Sequence, residues 1–125
     1  LFRSPAWEEY LLHYSFAWMT GHLLERLIDL TGPSLVNTIV REINFAAAAH
    51  GWNISITGAS VTDQTIFSSP VEAADVYSRL FEILFRHINM RIGADLLAVL
   101  MRESALHLSR PCRSVLQEYL LITPV

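Results

Sequence analysis

Five histidines, one cysteine and a repeated Arg-Glu dipeptide have the strongest claim on chemistry in this 125-residue chain. The imidazoles of His13, His22, His50, His87 and His107 could ligate a metal or carry protons. Their spacing supports neither role. There is no HxxxH, no HExxH and no Cys/His cluster. Histidines scattered over surface and boundary positions are the commoner cause of such a pattern. A haem or metal site on His22 or His87, which fall on corresponding segments, is the rarer alternative, and no cofactor is expected. No Ser, Thr or Cys sits in a nucleophile motif, and GxSxG is absent. Cys112 follows Pro111 at a helix start, a setting that can activate a thiol. A small apolar side chain is its more usual role. The chain is therefore expected not to be an enzyme.

The dipeptides Arg41-Glu42 and Arg102-Glu103 lie 61 residues apart. At that offset His22–Phe45 overlays Ile83–Leu106, matching Leu23 with Leu84, Gly32 with Gly93 and Leu35 with Leu96. Each half reads as helix, glycine break, helix. Neighbouring residues do not face one another on a helix, so Arg41 need not pair with Glu42. If a pseudo-twofold relates the halves, Arg41 would meet Glu103 and Arg102 would meet Glu42; independent solvated charges are the plainer alternative.

Aromatic residues form the third group. Tyr10, Tyr14, Trp18, Phe45, Trp52, Tyr77, Phe81 and Phe85, with His22 among them, could line an apolar ligand pocket or a subunit interface. Such sets more often form core.

These residues need elements to hold them. Ser4-Pro5 is a helix start, and the helical pattern continues to Leu30 before Thr31-Gly32-Pro33. Glu8, Ser15, His22, Arg26 and Asp29 mark its polar stripe, and Thr20-Gly21 permits a close crossing or a slight bend. Pro33 begins a second helix ending at His50-Gly51, with glycine as the left-handed cap. Between 52 and 69, alternating Ile54 and Ile56 and turns at Gly58-Ala59 and Asp63-Gln64 suggest a short β-hairpin, with an ordered loop as the alternative. Ser69-Pro70-Val71-Glu72 is a capping box. The third helix runs to about Arg91, with Asp75/Arg79 and Glu82/Arg86 at pairing distance. Ala94–Ser109 forms a fourth helix and Pro111–Ile122 a fifth. The fold class is mainly α: a bundle of about five helices from two helix–Gly break–helix pseudo-repeats (about 5–51 and 70–122) joined by the 52–69 hairpin or loop, as a single domain.

Composition narrows function by exclusion. The apolar fraction is 52%, mean hydropathy is +0.34 and only 17% of residues are charged. A globule this small cannot hide so much apolar surface alone. A homodimer or a neighbouring domain is therefore the expected protein partner, with a small apolar ligand as the other candidate. No run approaches the about 20 apolar residues of a membrane span. Net charge is −3, all nine basic residues are Arg, and no basic tract is present, so no nucleic-acid partner is expected. A single cysteine forms no internal disulfide, which fits a cytoplasmic setting. The expected role is a non-enzymatic regulatory, sensory or dimerisation module of a larger cytoplasmic protein. The alternative is an apolar-ligand or cofactor domain with its pocket between the repeats.

Overall fold

The computed structural model describes residues 4–119, 121 and 122. Among these residues are five helices and one two-stranded antiparallel sheet. Helix α1 spans Pro5–Thr31, α2 Pro33–His50, α3 Pro70–Ile92, α4 Ala94–Leu106 and α5 Arg110–Glu118; strands β1 (Ile54–Thr57) and β2 (Ser60–Asp63) separate α2 from α3.

Local chemistry sets most of the boundaries. Ser4 Oγ accepts the Trp7 amide at 3.2 Å to open α1. Ser69 Oγ accepts the Glu72 amide at 3.2 Å, while the Glu72 carboxylate reaches back to the Ser68 amide and hydroxyl. Gly32 and Gly93 break the two helix pairs with the same backbone turn, φ 81° at one and 88° at the other. Residues with a Cβ rarely adopt that region, which is why a glycine marks each break.

The 52–69 segment is a hairpin rather than a loop, pairing Ile54 with Asp63 and Thr57 with Ser60. Two strands alone are marginal, and this pair is held by helices. Asn44 of α2 bonds both backbone groups of Ile56, at 2.8 and 2.9 Å, and so closes the outer edge of β1. On the other side the turn lies against α1 at Gly21. A Cβ there would sit 2.8 Å from the Ala59 carbonyl oxygen. The close approach expected at Thr20-Gly21 therefore exists, made by the hairpin turn.

Helix α1 is central and touches α2, α3, α4, α5 and β2. Its Phe16 stacks on Tyr77 at 4.6 Å and tilts against Phe81 at 5.1 Å, while Leu12, Met19, Leu23 and Leu27 are fully enclosed. Two expectations fail at α1. Ser15 is buried and does not belong to a wet stripe, and Tyr10 and Tyr14 are exposed rather than core. Helices α4 and α5 are also shorter than expected. The His107 amide bonds the Ser104 carbonyl at 3.2 Å, and Leu108 bonds Ala105, which tightens and ends α4. The Leu121 amide reaches Leu116 O at 2.8 Å; that wider closure ends α5 and folds Leu121 and Ile122 onto the core.

Candidate functional site

One enclosed polar cluster lies where the hairpin meets α1 and α3. Asp63, the last residue of β2, has a side chain only 1% exposed. One oxygen, Oδ2, accepts the Tyr77 hydroxyl at 2.5 Å and lies 3.0 Å from His13 Nδ1. The other, Oδ1, accepts the Thr65 amide at 3.0 Å. A carboxylate oxygen accepts, so His13 donates through Nδ1. That ring is 42% exposed. Burial, and then the hydrogen bond to Asp63, pushes the Tyr77 phenol far above its ordinary range, so it remains a donor. The arrangement is a buried anchor with one imidazole at the surface. It can orient a base or a ligand nitrogen.

A second constellation joins α1 to α4. His22 Nδ1 shares a 2.7 Å hydrogen bond with Ser104 Oγ, and its ring forms a three-ring cluster with Trp18 (4.9 Å) and His107 (5.6 Å), which also lie 6.1 Å from each other. Burial holds the His22 imidazolium below the usual histidine range; Glu103 opposes the shift, and His107 and Arg26 reinforce it. A serine beside a neutral imidazole has the parts of a nucleophilic dyad. Here the hydroxyl is fully buried, so no substrate reaches it and the pair fastens two helices.

The two glutamates of the repeated dipeptide do cross between helices, with other cations than the sequence suggests. Arg26 Nε donates to Glu103 at 2.9 Å. Glu42 takes Arg86 at 2.6 Å and also contacts His87 Nε2. The His87 hydrogen bond, opposed by some burial, holds the Glu42 carboxyl below its usual range. Arg41 and Arg102 point to solvent instead. A helix is 100° per residue, so when the glutamate faces the partner helix, the preceding arginine faces away. Arg79 does pair with Asp75, at 3.3 Å, whereas Arg86 leaves Glu82 for Glu42.

The aromatic candidates do not form one pocket. Tyr77 and Phe81 are buried core, Trp18 stacks on His22, and Trp52 stacks on His50 at 4.4 Å. Tyr10 and Tyr14 stack with Trp7 along the outside of α1, and Phe45 is 76% exposed on α2. Phe81 and Phe85 line a groove. It is open, about 710 Å³, and lies between α3 and α4, with Leu97 and Leu121 on its wall and Glu82 and Arg86 at its rim. It therefore sits inside the second helix pair, not between the two pairs. Cys112 is buried in the core. Among the described residues, no three His, Cys, Asp or Glu side chains converge to hold a metal ion. Among them, too, no helix is long and apolar enough to cross a membrane.

Comparisons with protein-family models, curated proteins and solved structures find no match for this chain. The site's chemistry therefore rests on its own geometry. Sequence reasoning assigned Asp63 to a turn and His13 to the surface scatter. One signal was present: Asp63 lies two residues after Val61, on the same side of β2. A carboxylate in phase with an apolar strand residue asks for buried partners.

Proposed function

We propose that this chain is a non-enzymatic protein-interaction module that forms a homodimer through the outer face of α4, as part of a larger cytoplasmic protein. The observation that supports this is how little of α4 the fold uses. The helix buries Leu100, Ser104 and Ala105, while Leu96, Val99 and Leu106 remain 39%, 50% and 58% exposed along one face. These positions recur at three and seven residues, which makes a helical stripe.

Magnitudes set the extent of the interface. Fully burying a Leu or Val is worth about 1.5–3 kcal/mol, so covering the exposed halves of these three on two protomers gives roughly 6 kcal/mol. Association itself costs about 4–15 kcal/mol. The stripe alone is marginal. The interface must continue onto the neighbouring α3–α4 groove, where Phe85 and Leu97 add apolar area. Light scattering after size exclusion tests this. The wild type should run as a dimer, and Val99→Glu should run as a monomer with unchanged helix content. A monomeric wild type at every attainable concentration overturns the reading. A small molecule retained in native mass spectrometry would instead favour the groove as an apolar-ligand site.

We also propose that the two helix pairs are related by a pseudo-twofold. Glu42 and Glu103 are 61 positions apart, and so are their partners Arg26 and His87. Exchanging the halves turns the pair Glu103–Arg26 into Glu42–His87. The matching glycine breaks at Gly32 and Gly93 support the same relation.

A further inference from the structure

A small polar cleft of about 310 Å³ lies at the junction of α4 and α5; it borders the proposed α4 interface at Leu106 and differs from it in chemistry. Arg110, Arg113, Ser114 and Gln117 line it, with Leu106 as its apolar wall. The first four fall at i, i+3, i+4 and i+7, so one face of α5 points them all into the same space. Every polar group contributed is a donor or can act as one: two guanidinium forks, a hydroxyl and a carboxamide. No acid lines the cleft, and α5 has none in its first turn. Neither arginine has an ion-pair partner among the described residues. Arg26, Arg79 and Arg86, by contrast, are each neutralised by Glu103, Asp75 and Glu42.

We propose that this cleft binds a single phosphate monoester group. Two unneutralised guanidiniums held together repel one another, and a dianion bridging them relieves that repulsion while accepting fork-like hydrogen bonds. The end of α4 would ordinarily oppose an anion with its free carbonyls. Here those carbonyls are engaged: Glu103 O by His107 Nδ1 at 3.0 Å, Ser104 O by the His107 amide and Ala105 O by the Leu108 amide. The cleft is too polar for an apolar ligand. A polyanion such as nucleic acid needs a continuous basic track, and the paired arginines and net charge of −3 supply none. A lone phosphate is what remains, carried either by a free small molecule or by a phosphorylated peptide.

Amide chemical shifts followed during titration with inorganic phosphate, against sodium chloride at matched ionic strength, test the proposal. Saturable shifts confined to residues around 106–117 are expected with phosphate only. Arg110→Gln and Arg113→Gln should each weaken binding about tenfold, the loss of one charge-assisted contact. Arg91→Gln, at an exposed site on α3, should leave it unchanged. Because Arg110 is itself exposed, its variant keeps the test alive if Arg113→Gln fails to fold. A serine-phosphorylated peptide that binds more tightly than inorganic phosphate assigns the site to a peptide; equal affinity assigns it to a free anion. Equal shifts with chloride, no saturation, or equal weakening by Arg91→Gln would each overturn the site.

Discussion

His13–Asp63 and His87–Glu42 are the same chemical pair in two settings. The Asp63 side chain is 1% exposed and that of Glu42 is 39% exposed. Under the hairpin, water cannot complete the carboxylate, so the protein supplies Tyr77, Thr65 and His13 in its place. Between α2 and α3 solvent shares the work, and Glu42 needs only Arg86 and the His87 ring beside it. The first arrangement therefore holds an element to the fold, and the second mainly tunes how two helices lie. Burial, not residue type, makes that difference.

The sharpest way to break the comparison is to remove the buried acid. Asp63→Ala leaves a phenol and an amide without an acceptor in the interior, and should cost on the order of 3 kcal/mol in urea denaturation. A loss below about 1 kcal/mol would place Asp63 in the class of surface pairs. Next comes the seat of the hairpin itself. Alanine for glycine within a helix ordinarily gains up to about 1 kcal/mol. Gly21→Ala should instead lose about 1–3 kcal/mol, because its methyl meets the Ala59 carbonyl. A stabilised variant would show that the hairpin does not press on α1.

Tyr77→Phe refines the same network with a smaller effect, about 1 kcal/mol. It carries a distinct pH signature. The unfolded phenol ionises near its ordinary 10.0, while the folded one resists. Above that pH the unfolded state releases a proton that the folded state keeps, so wild-type stability falls as pH rises. The phenylalanine variant should lose that alkaline limb. Glu42→Gln is the weakest perturbation, below about 1 kcal/mol and reduced further by salt. Its folded carboxyl lies below the ordinary 4.5, so its contribution is present above that value and fades as pH falls through the folded one. In the variant that acid limb should flatten. An acid limb that persists unchanged would shift its origin to other groups, His22 first among them.

Much of the frame was legible in the chain. Ser4, Ser69 and Pro70 mark helix starts, Gly32 and Gly93 mark breaks, and Ile54-x-Ile56 marks a strand. Each signal acts through neighbours within a few residues, where covalent geometry already dictates which groups meet. The ends of α4 and α5 were misplaced because tertiary burial of Leu108, Leu121 and Ile122 draws the chain out of helix. The site was less legible still. His13 meets Asp63 across 50 residues and His22 meets Ser104 across 82. Arg41 and Arg26 are equally plausible partners for Glu103 in sequence.

The amino-acid sequence by itself determined where the main helices begin and break, and that a non-helical segment at 52–69, hairpin or loop, separates the helical regions. Only the tertiary structure decided which charges pair, which aromatics are core, and that Asp63 is an enclosed anchor. Pairing depends on the rotation and crossing of helices to within a few ångströms. A shift of one position along a helix turns a side chain through 100°, enough to exchange a buried partner for solvent.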